Sequence, residues 1–570
     1  MNCGRGGRSS FRRTMETNSH VEVRYRGRTH RLEAGIRVAE FLREINGRIP
    51  DTVLSAMVNR RQVMLDFPLR GEVDLELVSY GDREGESVYK RSVNLMFFEA
   101  SRELFPEVRP VIGQSLGNCY HYRMRGEHPP LEEMAPAIEA RMKEIHHEAR
   151  PFVRQTVTIE EAERYFVASG SEDKLLLLAT RRSSTVHTLS CGRFVDLAYG
   201  PCAPNTGCCP TFGVIPYEDG LLLRFPRRAD RSQLPRFTPR PLLFKTYVET
   251  RRWQELLGLQ NVGQLNRLCL DGDVRHIIRI AEGLHEKKIA KVADQILSRR
   301  PEVRLVTIAG PTSSGKTTFA KRLGVQLRVN GIEMVSLSLD NYYVDRELTP
   351  KNGDGLPDFE SIEAIDLELF HLHLAQMLEG REVLTPRFDF ISGSRKAESQ
   401  WVPLRLEPHQ VLVVEGIHGL NDRLTQSVPR QSLYRIFISA LSQLAIDDHN
   451  RIFTSDARLI RRIVRDRLYR GFTAERTLEL WERVRQGEGR WIFPFQEQAD
   501  VMFNSALVYE PAVLKIFAER FLLQVPRVSP AYTEAFRLLK HLSMFVPIFP
   551  DEVPHTSILR EFIGGSTFSY

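Results

Sequence analysis

The stretch that most limits what this chain can fold into is the run Gly310, Pro311, Thr312, Ser313, Ser314, Gly315, Lys316, Thr317, Thr318. Ahead of it, from residue 303, VRLVTIA is a β-branched run of the kind buried in a parallel sheet; behind it, FAKRLGVQLRV reads as a helix. A G-x-x-x-x-G-K-[ST] loop between a strand and a helix is a phosphate cradle. Its glycines let backbone N–H groups curl around a phosphate, and the helix N-terminus adds positive potential. Lys316 is placed to reach the β and γ phosphates, and the Thr317 hydroxyl to ligate magnesium. The motif therefore implies ATP and Mg²⁺ as ligands and an α/β sheet to present them.

The strands that follow supply acids at the same sheet edge. MVSLSL ends at Asp340 in S-L-D-N-Y-Y, where ligands of open α/β folds sit. Asp340 is a candidate general base, a role that contributes ~10² to 10⁴ in rate; its alternative reading is a turn or helix cap. VLVVEGI, from 411 to 417, puts Glu415 at its exit as a Walker-B type acid for magnesium. His418 just beyond reads as a turn residue. In SDARLIRRIVRDRLYRGF, a helix at 100° per residue gathers Leu459, Ile460, Ile463, Val464 and Leu468 on one arc, and Arg458, Arg461, Arg462 and Arg465 on the other. No acidic stripe lies nearby in sequence, so the arginine face is expected to close as a lid over a triphosphate.

At 570 residues, two to four folding units are expected, at about 150 residues each. The formal charge of +7 permits anionic ligands without indicating a dedicated nucleic-acid binder. Seven cysteines, an odd number with none after Cys269, favour a reducing compartment. No apolar run is long enough for a membrane helix, so a cytoplasmic protein without a membrane partner is expected. Residues 1–19 read as a disordered basic tail; the Arg-rich, acid-free start MNCGRGGRSSFRRT is no secretory signal and leaves organellar targeting as the alternative.

In 20–84, VEVRYRG, a helix-like RVAEFLREI, LSAMVNRRQV and VDLELVS read as strands around one short helix. This segment resembles a TGS domain, the β-grasp unit of threonyl-tRNA synthetases and some GTPases. The resemblance implies assistance with contacts, RNA among them, and no chemistry. In 85–228, DLAYGPCAPNT (Asp196 to Thr206) resembles the second additional domain of threonyl-tRNA synthetases. That family carries an early histidine pair and then D-L-C-x-G-P-H; here RPVIGQSLGNCYHY lacks the pair, and Ala198 and Cys202 stand at the last two ligand positions. A metal-assisted editing site is not expected. Zinc on Cys202, Cys208, Cys209 and His121 would need adjacent cysteines to converge, so structural thiols are the expectation. Residues 229–300 combine a connector, RRADRSQLPRFTPRP, with an amphipathic helix expected to bridge the halves.

Walker A, S-x-D-x-x-Y, P-x-[aromatic]-D-F, E-G-I and R-R-x-x-R-D-x-x-x-R-G occur in the order seen in the uridine kinase and phosphoribulokinase family, over about 301–525. With a C-terminal extension, 526–570, holding REFIGGS at 560–566, the layout is similar to the longer uridine kinase-like nucleoside kinases. The resemblance implies a multidomain α/β chain: a parallel-sheet P-loop kinase domain preceded by a β-grasp TGS-like unit and a synthetase-like α+β unit. It implies Asp340 as base on a nucleoside 5′-hydroxyl, and Lys316, Arg462, Arg465 and Arg470 as catalytic cations. Tyr343, Phe359, Glu360, Phe388 and Ile417 would line the sugar and base pocket. The family's ribose-binding Asp is Glu360 here, and Phe472 stands where a further Arg is often found. In RFDFISGSR, the base-reading Tyr and His of uridine-cytidine kinases are Phe388 and Gly393, which removes two polar readers. A non-nucleoside alcohol or sugar is the alternative acceptor, and an RNA- or ribosome-associated regulatory NTPase the alternative of another class.

Overall fold

Alternate burial along His20–Tyr25, with Val21, Val23 and Tyr25 inward, gives one face of a sheet its core. In the computed structural model, which describes residues 20–351, 353, 355–389, 392–442 and 444–569, this strand forms a hairpin with Arg28–Glu33 and pairs in parallel with Glu72–Ser79. Val53–Val58 and Arg61–Val63 complete a five-stranded sheet. The helix Val38–Asn46 packs Val38, Phe41 and Leu42 on it; Glu40 accepts from the Arg37 amide at 2.9 Å, and a left-handed Gly47 ends the helix. Strands around one short helix are thus observed where 20–84 predicts them. The expected basic tail lies outside the described residues.

The chain divides into two compact units, the first comprising residues up to Val111, Gly117–Ile159 and Ser184–Arg236. Beyond the five-stranded sheet, the first unit holds an antiparallel sheet of Phe152–Thr158, Thr185–Cys191 and Phe194–Leu197, and a second of Cys119–Arg125, Gly220–Arg224 and Gly213–Tyr217. Helix Arg83–Leu104 anchors the DLAYGPCAPNT segment: Ser92 Oγ accepts from the Ala203 amide at 2.8 Å. Cys202 and Cys209 are fully buried, and desolvation pushes the Cys202 thiol up to about 11. A thiol held protonated is a poor metal ligand.

The second unit comprises Ile112–Leu116, Glu160–Ser183 and Phe237 onward. Its sheet is built from β1 (Leu305–Ala309), β2 (Glu333–Ser338), β3 (Gln410–Glu415), β4 (Leu433–Ser439) and β5 (Val501–Asn504). The order is β2-β3-β1-β4-β5, all parallel. β1 is buried throughout, as a central parallel strand must be. The helices that matter below are α1 (Val274–Leu297), α2 (Lys316–Val329), α3 (Thr454–Tyr469), α4 (Ala474–Trp491), α5 (Glu510–Leu523) and α6 (Arg560–Ile563).

Two expectations about boundaries change. α1, read as a bridge, belongs to the second unit: Ile277, Ile278, Ile289, Val292 and Ile296 are buried, and Glu286 meets Arg322 of α2 at 2.7 Å. Residues 112–116 and 160–183, read as part of 85–228, group with the second unit as well. There Lys174, 1% exposed, lies 3.4 Å from Asp173 and 3.5 Å from Asp447, a buried cation that needs those acids. Among the described residues, no helix is long and apolar enough to cross a membrane.

Candidate active site

β1 lies between β3 and β4, so chain order reverses direction around it, and the loop leaving its carboxyl end sits at the switch point of the sheet. That loop is Gly310–Gly315. A Cβ on Gly310 would come 2.2 Å from the Ile438 carbonyl oxygen, and Gly315 takes φ +85°, which an L side chain rarely adopts. Both motif glycines are therefore steric requirements of this fold. Lys316 Nζ donates to the Gly310 and Pro311 carbonyls at 3.0 and 3.2 Å, so its ammonium rests on its own loop. Thr317 and Thr318 follow in the first turn of α2.

Register brings the acids to the same edge. Ser338, the last residue of β2, lies opposite Glu415, the last of β3, and its hydroxyl donates to Glu415 Oε1 at 3.0 Å. Asp340 follows two residues on, in the 3₁₀ turn Leu339–Tyr342. Desolvation pushes the Asp340 carboxyl up, opposed by the charges of Lys316, Arg470 and Arg465. Desolvation and the Asp340 charge push Glu415 up to about 7, opposed by Lys316 and the Ser338 bond. Desolvation pushes the Lys316 ammonium down, while Glu415 and Asp340 hold it charged. The three groups form one mutually dependent cluster, as close opposite charges in a site must. His418 is buried in the turn after β3, and desolvation lowers its imidazole to about 4, leaving it neutral near pH 7.

The arginines of α3 and Arg470, which caps its C-terminus, divide into two sets, which corrects the expectation of a single lid face. Arg458 donates to both oxygens of Glu488 on α4, at 2.5 and 2.6 Å, and Glu488 also accepts from the Thr312 amide at 3.1 Å. Arg461 makes a two-pronged pair with Glu510 of α5, at 3.0 and 2.5 Å, and donates to the Ser505 carbonyl at 2.9 Å. Both guanidinium groups are buried and hold up the loop. The acids that pair them come from other helices, so the lack of an acidic stripe in the local sequence did not mean lack of partners.

The second set, Arg462, Arg465 and Arg470, surrounds Asp466 at 3.2, 4.0 and 3.6 Å. Desolvation lowers Arg465 to about 10, with the Arg470 charge adding to the effect. These cations sit in looser pairs than Arg458 and Arg461, and the Asp340 carboxyl feels two of them. Leu468, expected on the packed arc, is 41% exposed in the last turn of α3.

Tyr343 and Phe388 pack with ring centroids 5.7 Å apart, and Tyr343 donates its hydroxyl to the Phe359 carbonyl at 3.0 Å. Phe359 itself is 38% exposed. Desolvation and the Glu488 charge push Glu360 up to about 8, and its buried Oε2 has no hydrogen-bond partner among the described residues. Ile417 is half-buried two residues past the end of β3.

Residues 305–509 match the model of the Phosphoribulokinase / Uridine kinase family. They form a domain of that family. A uridine kinase from Deinococcus deserti is 29% identical to this chain over 210 residues, 37% of this chain and 91% of that protein. A threonine–tRNA ligase from Symbiobacterium thermophilum is 32% identical over 182 residues, 32% of this chain and 28% of that enzyme. The chain thus spans under a third of the length of that ligase, whose likeness falls in the N-terminal region. A solved structure described as a possible uridine kinase from Bacillus stearothermophilus is 17% identical, with a TM-score of 0.27 over 38% of this chain and 98% of that one. Around the motifs of the family domain, sequence reasoning missed Glu488, Glu510, Ser505 and Glu561. Glu561 stands in the REFIGGS segment, which gave no sign of its partner, and the other three stand in no local pattern; each reaches the loop or its arginines through tertiary packing.

Proposed function

We propose that the second unit transfers the γ-phosphoryl group of ATP to the 5′-hydroxyl of a nucleoside. One juxtaposition carries the reading: a P-loop lysine sharing a charge cluster with Asp340 and Glu415 at the carboxyl edge of a parallel sheet. The loop amides and Lys316 hold the phosphates in place. Asp340 takes the proton of the attacking hydroxyl at its carboxylate, and Lys316, Arg470 and Arg465 offset the desolvation that would otherwise keep that group neutral. Arg462, Arg465 and Arg470 turn from Asp466 to the oxygens of the moving phosphoryl group. The Thr317 hydroxyl and Glu415 carboxylate are hard oxygen donors of the type magnesium takes, and Glu415, accepting one hydrogen bond from Ser338, is pushed toward neutrality in a way a cation would relieve. Magnesium held there would neutralise charge on the β and γ phosphates.

The likeness to a uridine kinase supports a nucleoside acceptor, with Tyr343, Phe359, Glu360, Phe388 and Ile417 as its pocket. A second reading, a sugar or another alcohol, is favoured by Gly393. It is left-handed, and a Cβ there would lie 2.6 Å from Arg346 Nε, so no side chain reads a base from that position. Contact with RNA through residues 20–84 is also proposed; eleven arginines and eleven acids leave that segment without net charge, so the contact would rest on shape and depend little on salt.

The test is a panel of nucleosides and non-nucleoside alcohols scored for phosphorylated product, run with wild type and Asp340→Asn. The variant is expected to lose at least ~100-fold in kcat with ATP binding retained. Wild-type turnover removes Asp340 from the mechanism, phosphorylation of non-nucleosides alone replaces the acceptor, and ATP hydrolysis without a phosphorylated product replaces the kinase with a regulatory NTPase.

A further inference from the structure

The REFIGGS segment reaches the phosphate cradle from 243 residues away in sequence. Glu561, on α6, accepts through Oε2 from the Thr318 amide at 3.2 Å and from the Thr318 hydroxyl at 2.8 Å. Its other carboxylate oxygen lies 3.6 Å from Arg465 Nη1, and the side chain is 10% exposed. The Glu561 charge also acts on Lys316 and on Glu415. Two further contacts fix the approach. Ile558 Cγ2 lies 2.5 Å from where a Cβ on Gly315 would be, and the Phe562 ring lies beneath Arg461 and Arg465 at 5.1 and 5.9 Å. Arg560 ties the segment down through the Pro550 and Gly564 carbonyls at 3.0 and 3.2 Å.

The Thr318 amide belongs to the first turn of α2, among the backbone donors a P-loop turns toward nucleotide phosphates. A carboxylate on that amide meets the same demand for negative charge at the helix N-terminus that a phosphate oxygen would. Arg465, proposed above to serve the moving phosphoryl group, faces the same carboxylate. Two separate phosphate-directed groups therefore converge on one acidic side chain that the motif does not contain. We propose that Glu561 is a built-in competitor of the P-loop: nucleotide phosphates and the Glu561 carboxylate contend for Thr318 and Arg465, so the C-terminal segment sets how tightly the loop holds nucleotide. The inference rests on the P-loop reading given above.

Isothermal titration of the full chain with ADP, inorganic triphosphate and adenosine, each with magnesium, tests it. Glu561→Gln is expected to bind triphosphate and ADP about tenfold more tightly than wild type, with adenosine unchanged, because only phosphates compete for the site. Glu561→Asp keeps the charge but withdraws it by one methylene from Thr318; it is expected to tighten triphosphate binding several-fold, and it carries the test if Glu561→Gln proves unstable. Unchanged or weaker triphosphate binding in the folded variant overturns the proposal. Lys316→Ala separates the two readings. If it abolishes triphosphate binding while the Glu561 variants fail to tighten it, the competitor falls alone; if wild type binds neither ADP nor triphosphate, the P-loop reading falls and the competitor with it.

Discussion

Arg458 and Arg465 stand on the same helix and the same sequence stripe, yet their replacement by alanine should give opposite phenotypes. Arg458 places two short hydrogen bonds on Glu488, and the two side chains are 3% and 0% exposed. Arg458→Ala leaves the Glu488 carboxylate buried with the Thr312 amide as a remaining donor. Breaking a buried pair from one side costs about 3 to 5 kcal/mol. For a unit of about 360 residues, at ~2.1 cal/mol/K of unfolding entropy per residue, each kcal/mol moves Tm by about 1.3 °C, so the transition of the second unit should fall by roughly 4 to 7 °C. Arg461→Ala should behave alike, through Glu510. Arg465 pairs at 3.6 and 4.0 Å, and its guanidinium is already pushed down to about 10 by desolvation. Its removal should shift Tm by no more than about 2 °C while turnover falls by orders of magnitude. Scanning calorimetry and steady-state kinetics on the purified variants separate the two roles. A paired replacement, Arg458→Met with Glu488→Leu, should restore much of the lost stability, since apolar groups of similar volume can replace a buried ion pair. If Arg458→Ala melts within 2 °C of wild type and loses activity as Arg465→Ala does, Arg458 is a lid arginine and the division into struts and lid is wrong.

Two further outcomes follow from the site. Glu360, raised to about 8 against about 4.3 in an unfolded chain, stays protonated in the folded state at pH values where the unfolded state has already ionised. Its contribution is therefore present below pH 4.3 and lost as pH rises through 8, so Glu360→Gln should gain stability over wild type between pH 5 and pH 8, by about 2 kcal/mol for a part-exposed group; a Tm difference that does not change over that range contradicts it. Gly315→Ala should destabilise the second unit by about 1 to 2 kcal/mol from its φ of +85° alone, plus the clash with Ile558. Adding Ile558→Ala should relieve only the second part, and full additivity of the two single effects in thermal melts would show that Ile558 does not press on the loop.

How much of this was legible in the sequence follows from where each signal is stored. The cradle, β1 and the exits at Asp340 and Glu415 were readable because each is a local pattern: a strand-forming run that leads into an acid brings it to the strand's carboxyl end, and parallel pairing of Ser338 with Glu415 then sets the two exits side by side. The amphipathic arc of α3 was readable on the same terms, and Leu459, Ile460, Ile463 and Val464 are buried. Periodicity assigns a face, however, and says nothing of what covers it. The partners of Arg458, Arg461 and the Thr318 amide lie 30, 49 and 243 residues away. Four arginines with the same side chain therefore became two kinds of group, and the difference is made by acids supplied from α4 and α5. The same holds for α1 and for 160–183: their apolar and charged faces were visible, but that Glu286 meets Arg322, or that Lys174 meets Asp447, is a property of the folded second unit. The cluster at the sheet edge joins these two kinds of information. Local pattern places Lys316, Asp340 and Glu415, while tertiary acids hold the loop that carries Lys316 and one of them, Glu561, stands on the donors the loop would offer to phosphate. Nucleotide affinity should accordingly respond as strongly to residues outside the motif as to those within it.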